Sequence, residues 1–573
     1  MLSTRRLILL AVVIGLAITM AVARAIQIQV VESPKYAAAA NFQQTETHTS
    51  LAPRGGIYDR SGNVLAVSNR TYLVRINPRT ITDTLVFANA LSPALARSPA
   101  DIQHQIQSII DSTSTPTPTS TIVAVNLAPA VTDVLTQTLF GFDGLQIEET
   151  WQRIYPQGPI AGPTLGFVSL QPTGYSGIEG FYNARLSAEM GERKQVSRLN
   201  LVSVKPKHDG ADVVLTLDLT LQNYVEKRLA QAIQDTQAVS GTIIVMESKT
   251  GAILASASTP GYDPNRALDI ANTGQFSLLK DPAASELYEP GSVLKVATIA
   301  TALDLGQVTT STLMTDTGRL IISGRRIYNS DRTAHGIVDI EDILARSLNV
   351  PTAQLALQMG PERFYERFSL FGFGSKTGID LGDEQAGVLR TPSDIEWSQT
   401  DLATNSYGQG MSATPYQVIN ALNAIANDGV LMQPYIVKEW RDADGTVTRQ
   451  NPVATRRVIS AQTARTLRDV MVIATRRGTP DAMIQGYTIA GKTGTADWFL
   501  RKKINDQWVI EKQDTTIVTY VGFLPADDPK ITVLVKLDQP KSSKWAGETT
   551  VPVFRDVAER ACQIVGVPPN VVK

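Results

Sequence analysis

Apolar and polar positions divide this chain into a short hydrophobic start and two unlike halves. An uncharged apolar run extends from Leu7 to Ala23, between Arg5-Arg6 and Arg24. At about 1.5 Å per helical residue that run spans about 25 Å, and snorkelling of Arg24 extends its reach across a bilayer core. The positive leading flank predicts an N-terminus in the cytoplasm and everything after residue 24 outside. Ala21-Val22-Ala23 also offers a small-residue cleavage site, so a cleaved signal peptide is the competing reading. A retained anchor is expected because the run is longer than most signal cores.

Residues 25–50 read as a membrane-proximal stalk. Strand-like runs at Gly56–Tyr58 and Val64–Val67 flank the turn signal Ser61-Gly62-Asn63. Arg54, Asp59 and Arg60 are placed to form an ion-paired clasp there, with a solvated hairpin as the alternative. Helix-like pieces between residues 80 and 140 are interrupted by the Ser/Thr/Pro tract Ser112–Thr121, which cannot pack a core and predicts an exposed loop. A short helix is expected at Phe181–Leu186, and a domain boundary near His208-Asp209-Gly210.

Beyond that boundary the periodicity changes. Asp212–Leu217 reads as a strand, and Asp218 caps a helix to about Thr236. Gly241–Met246 and Ala252–Ser258 read as a hairpin, and residues 262–480 as mainly helical with long loops. Strands return only at Tyr487–Ala496, Thr515–Phe523 and Ile531–Leu537, before a last helix at about Val553–Val565. Two early and three late strands predict an α+β fold: one five-stranded antiparallel sheet beside an inserted helical subdomain. A cleft is expected where the sheet edge meets those helices.

Composition narrows the chemistry by exclusion. At 573 residues the length suggests several domains, and a net charge of -1 gives no support to nucleic-acid binding. Cys562 is the single cysteine, so neither an intrachain disulfide nor a cysteine-based metal site is possible. His48, His104, His208 and His335 are scattered and form no metal-ligand pattern. No metal and no cofactor is expected.

The candidate chemistry begins at Tyr288–Asp304. Pro290 and Gly291 predict a tight loop, and the residues from Val293 suit a buried helix with no Gly before Gly306. Ser292 then stands at a helix start with Lys295 one turn later on the same face, a hydroxyl beside an amine. An N-cap serine with a snorkelling lysine reads equally well from this stretch alone. Ser277-Leu278-Leu279-Lys280 has the same S-x-x-K spacing, but Asp281-Pro282 breaks the helix that would align it.

Two distant pieces discriminate. Ser347-Leu348-Asn349 lies 55 residues after Ser292, at the end of the helix-like Val338–Arg346. Gly491-Lys492-Thr493-Gly494-Thr495-Ala496 lies on the late strand Tyr487–Ala496. Ser61-Gly62-Asn63 duplicates the first pattern far upstream in a turn. Lys376-Thr377-Gly378 duplicates the second in a glycine-rich loop, whereas a strand is needed if a peptide is to bind alongside it.

S-x-x-K, S-x-N and K-T-G in this order are the serine penicillin-recognising set. The sequence resembles the penicillin-binding proteins, and among them the monofunctional class B transpeptidases. Arg54–Ala66 is similar to the family's R-G-x-I-x-D-R-x-G-x-x-L-A signature. Arg153-Ile154-Tyr155-Pro156 with Gly166-Phe167-Val168 resembles its pedestal motif, and Tyr407-Gly408-Gln409-Gly410 with Thr414-Pro415 its later glycine loop. The resemblance covers most of residues 53–561, with Val293-Leu294 a mild departure inside S-x-x-K.

The resemblance implies a cytoplasmic N-terminus at 1–6, a transmembrane anchor at 7–24, an extracytoplasmic pedestal or dimerisation-type domain at 25–210, and a transpeptidase domain at 211–573. It implies a single-pass protein of the bacterial cytoplasmic membrane that cross-links peptidoglycan stem peptides, releases D-alanine and is inhibited by β-lactams. Ser292 is the implied nucleophile, and Lys295 its base. Ser347 is the proton relay, Asn349 holds the substrate amide, and Lys492, Thr493, Gly494 and Thr495 form the carboxylate-binding strand. An unperturbed lysine loses its proton at pH 7 at a cost of about 4.6 kcal/mol, so Lys295 needs burial and the second cation Lys492 to lower its pKa. The resemblance also implies a separate polytopic glycosyltransferase and divisome or elongasome proteins as partners. A D,D-carboxypeptidase, a β-lactamase using Glu384 or Glu396, and a penicillin sensor are the alternatives.

Overall fold

The computed structural model describes residues 4–27, 46–50, 52–111, 121–138, 145–169, 173–188, 191–197, 200–201, 209–504 and 507–571. Most of the expected stalk, the Ser/Thr/Pro tract at 112–120 and His208 lie outside them. The chain forms two compact units: residues 1–53, 69–152 and 188–210 make one, and residues 54–68, 153–187 and 211–573 the other.

The first unit contains the helix Thr4–Ile26, on which the expected anchor falls. Side chains before Val12 lie outside the described residues, and among the described residues no helix is long and apolar enough to cross a membrane. A small α+β core follows. Asp83 and Ser98 cap the helices Thr84–Leu95 and Pro99–Ile110 with side-chain oxygens on backbone N–H groups. Their apolar faces bury Phe87, Leu91, Ile102 and Ile106 against Val74, Ile76 and Val123 of two antiparallel strands.

The second unit is built on an antiparallel five-stranded sheet. Its spatial order is Ile253–Thr259, Ser240–Glu247, Ile531–Asp538, Gln507–Leu524, Ala490–Ile504. Ile531–Asp538 is buried at every position, as its near-continuous apolar run requires of a strand covered on both faces. One face packs Val518, Tyr520, Val533 and Val535 under the helices Leu219–Thr236 and Ala546–Val565. The other face carries the helical subdomain. The lysine strand Ala490–Ile504 is an outer edge.

Several expectations need correction. Residues 262–480 are not free of strands: they hold the hairpins Arg319–Ile322/Arg325–Tyr328 and Val437–Arg441/Val447–Arg449, and the pairs Met314–Asp316/Gly336–Val338 and Val430–Met432/Ala454–Arg457. Runs this short carry too few residues for an alternating pattern to register. Val338 ends one of these strands, so the helix before Ser347 is only Ile340–Ala345, capped by Asp339. Asp212–Leu215 joins a different sheet, parallel to Ile57–Tyr58 and antiparallel to Val437–Arg441. The predicted Phe181–Leu186 helix is two separate turns, Gly177–Phe181 and Asn183–Leu186. The last helix starts earlier, at Ala546, and runs through Pro552.

The turn at Ser61-Gly62-Asn63 does join two strands, but the clasp is absent. Asp59 spends its carboxylate on the N–H groups of Ser61, Asn63 and Leu219 and on the Asn63 amide. Buried Arg54 instead meets Glu179 at 2.5 Å, and Arg153 meets the other oxygen of Glu179 at 2.7 Å. Burial raises the Glu179 pKa, and the two guanidinium groups outweigh it to hold the carboxyl below its usual value.

Candidate active site

The nucleophile loop is tighter than an α-helix. Gly291–Leu294 forms a 3-10 turn, and the α-helix proper runs from Lys295 to Asp304. Residues three apart eclipse in a 3-10 turn, which stacks Ser292 under Lys295. Lys295 Nζ lies 3.0 Å from Ser292 Oγ. Gly291 sits at φ 63°, where a Cβ would stand 2.7 Å from the Thr495 carbonyl oxygen. A Cβ on Gly494 would stand 2.5 Å from the Pro290 carbonyl oxygen. Glycine at both positions lets the serine loop press against the edge strand. From the other side Gly291 N–H donates to Gly408 O at 2.9 Å, and Gly410 N–H to Glu289 Oε1 at 3.0 Å. The glycine loop thus braces the turn that carries the serine.

Ser347 follows the helix Ile340–Ala345 in the left-handed region, at φ 57°. For a residue with a Cβ that conformation costs about 1–2 kcal/mol. It aims two oxygens at one nitrogen: Lys295 Nζ donates to Ser347 O at 2.5 Å and lies 3.1 Å from Ser347 Oγ. Lys492 Nζ approaches the same hydroxyl at 3.1 Å, and also bonds Thr493 Oγ1 at 3.0 Å and Thr493 O at 3.1 Å. Ser292, Lys295, Ser347 and Lys492 are therefore one continuous hydrogen-bonded chain.

Asn349 opens the helix Asn349–Met359 beside it. Its Nδ2 donates to Tyr328 O at 2.9 Å, and its N–H and that of Val350 both donate to Asn329 Oδ1, at 2.9 and 3.1 Å. Buried Asn329 is held in turn by Asp316 at 2.7 Å. Ser292, Ser347, Asn349, Thr493 and Thr495 all line one cleft of about 710 Å³.

The electrostatics suit an amine base. Burial first, and the nearby Lys492 charge second, push the Lys295 pKa well below the ordinary lysine value. Burial alone lowers Lys492 to about 7. Neither ammonium has a carboxylate partner among the described residues.

The duplicate motifs fall away. Lys280 pairs with Asp383 at 3.6 Å, outside the cleft lining. Lys376-Thr377-Gly378 is a loop, and Glu384 accepts from the N–H groups of Thr377 and Gly378. Glu396 is an exposed surface partner of Arg390 at 3.4 Å. Among the described residues no cluster of His, Cys, Asp or Glu could hold a metal ion. Asn329 and Tyr328 are site supports that the sequence reading missed. A lone Asn 20 residues before its partner carries no motif, and only a predicted hairpin there would have pointed to it.

A serine, two depressed lysines and an edge strand over an antiparallel sheet define a serine acyltransferase of the penicillin-recognising fold. A family-wide model of the penicillin binding protein transpeptidase domain matches residues 241–559, and one of the penicillin-binding protein dimerisation domain matches residues 49–215. Stage V sporulation protein D of Bacillus subtilis (strain 168) is 30% identical over 529 residues, 90% of this chain and 79% of its own. Peptidoglycan D,D-transpeptidase FtsI of Buchnera aphidicola subsp. Baizongia pistaciae is 27% identical, across 99% of this chain and 96% of its own. The crystal structure of penicillin binding protein 3 from Mycobacterium tuberculosis complexed with aztreonam superposes with a TM-score of 0.68 at 27% identity, covering 92% of this chain and 100% of that one. The chain belongs to the class B penicillin-binding proteins.

Proposed function

We propose that this chain is a peptidoglycan D,D-transpeptidase in which Ser292 forms the acyl-enzyme, and that it is acylated at the same residue by β-lactams. The observation that carries this reading is the unbroken chain from Ser292 Oγ through Lys295 Nζ and Ser347 Oγ to Lys492 Nζ. Neutral Lys295 takes the Ser292 proton as Oγ attacks the carbonyl between the two terminal D-alanines. The backbone N–H groups of Ser292 and Thr495 receive the oxyanion, where one lost donor costs about 3–4 kcal/mol. The proton passes by Ser347 to the departing amine, D-alanine leaves, and the amine of a neighbouring stem attacks the ester to regenerate Ser292.

Lys492, Thr493, Gly494 and Thr495 take the donor's terminal carboxylate, and Asn349 its amide. The free edge of Ala490–Ile504 supports binding of the donor as an added strand. The Leu7–Ala23 run within the helix Thr4–Ile26 supports a single-pass anchor at 7–24, with 1–6 in the cytoplasm and the pedestal at 25–210 and catalytic domain at 211–573 outside. On this reading a separate polytopic glycosyltransferase and other divisome or elongasome proteins are its partners.

Fluorescent penicillin tests the reading. Wild type is expected to label covalently and Ser292→Ala not at all. Wild type that fails to label overturns it. Incubation of donor peptide with and without an acceptor amine separates cross-linking from carboxypeptidase release.

A further inference from the structure

The lining of the cleft is strongly cationic. Arg325, Arg326, Arg332, Arg346, Lys512 and Lys544 line it, against the single carboxylate of Asp497. Four of these cations are already engaged. Lys512 pairs with Asp497 at 2.5 Å, and Lys544 with Asp514. Arg346 faces Asp342 at 3.6 Å, and Arg332 lies 5.1 Å from the Tyr328 ring centre. Arg325 and Arg326 have no ion-pair, hydrogen-bond or ring partner among the described residues.

These two arginines are exposed but not loosely mounted. They open the second strand of the hairpin Arg319–Ile322/Arg325–Tyr328, just past the turn at Ser323-Gly324. Ile322 and Ile327 anchor it by burial against Ala353, Ala403 and Tyr407. Its far end, Tyr328 and Asn329, is hydrogen-bonded to Asn349. Arg325 also borders a second cavity of about 600 Å³ that shares Thr400, Thr404, Gln409 and Asp497 with the first. The acids of that cavity have partners of their own: Glu289 has Gly410, Glu396 has Arg390, and Asp401 has Ser398. Successive strand residues face opposite sides, so the two forks are separate: Arg326 lines the cleft only, and Arg325 stands free at the junction of the two cavities, where one planar fork matches one carboxylate bidentately.

We propose that Arg325 forms a carboxylate subsite that selects stem peptides by a carboxylate other than the donor's terminal one. This rests on the reading of the cleft as a stem-peptide site. The test compares cross-linking of stem peptides whose internal carboxylates are free with that of peptides in which they are amidated. Wild type is expected to favour the free acid about tenfold, the size of one charge-assisted hydrogen bond, with the preference shrinking at high salt. Arg325→Gln is expected to bring the ratio close to one, and Arg325→Lys to retain part of it. Amidating donor and acceptor separately tells which strand carries the selected group. Wild type that labels with penicillin but treats acid and amide alike overturns the subsite and leaves the proposed function intact. A preference that survives in a Gln variant that still labels overturns it as well. Wild type that does not label at all strikes the proposed function instead.

Discussion

Lys295 has one nitrogen and three oxygens around it, and the oxygens are not equivalent. Ser347 O can only accept, so it claims one N–H outright. A neutral amine then has one N–H and one lone pair left for two hydroxyls, and the lone pair can receive the Ser292 proton. A charged ammonium would spend three protons on three oxygens and leave Ser292 without a base. In the proposed mechanism acylation needs neutral Lys295, and Lys295→Arg, permanently charged, is expected to slow penicillin acylation by about a hundredfold or more. Near wild-type labelling by that variant would refute the assignment. Lys492→Met removes one of the two causes that depress Lys295, so the acid limb of the acylation profile should move to higher pH. A stopped-flow pH series that finds the limb unmoved counts against the coupling. The same substitution has a folding signature. Unfolded Lys492 holds its proton up to about 10.5 and the folded one releases it near 7, so wild-type stability gains from this residue as pH rises between those values. That gain should vanish in Lys492→Met.

At the scale of elements, the support behind Asn349 is the most exposed to test. Asn329→Ala strips a shared acceptor from the N–H groups of Asn349 and Val350, at about 1–3 kcal/mol for buried donors left unpaired. Lower thermal stability with slower acylation is expected from paired melting and labelling measurements. Loss of stability with unchanged acylation would show that the hairpin does not position the motif. The contrast with Ser292 explains what could be read in advance. Ser292–Lys295, Ser347–Asn349 and Lys492–Thr495 are local patterns whose chemistry is written in adjacent residues. The long strands and the helix capped by Asp218 were legible for the same reason. Asn329 and the hairpins of the helical subdomain were not, because three or four residues hold no period and their partners lie elsewhere in the chain.

At the scale of the whole molecule, Arg54, Arg153 and Glu179 tie segments 125 residues apart into the larger unit. Their arrangement was illegible for that reason: the sequence suggested Arg54 with its neighbour Asp59, whereas a buried guanidinium needs a buried carboxylate. Glu179→Ala would leave two guanidinium groups buried without a counter-charge, and a loss of about 3–5 kcal/mol is expected in chemical denaturation. Because Glu179 is held below its usual pKa, its contribution stands in full above pH 4.5 and fades as pH falls through the lower folded value. A denaturation midpoint unaffected by Glu179→Ala would show that the triad is not a structural tie.

The free edge of Ala490–Ile504 carries a liability along with its use. A sheet edge that can receive a peptide can equally receive the edge of another molecule and seed aggregation. The chain answers with position. Gly491-Lys492-Thr493-Gly494-Thr495 lies against the serine loop, where a Cβ on Gly494 would stand 2.5 Å from the Pro290 carbonyl oxygen. Thr493 and Thr495 line the catalytic cleft, so a second edge has to enter that cleft before it can pair there.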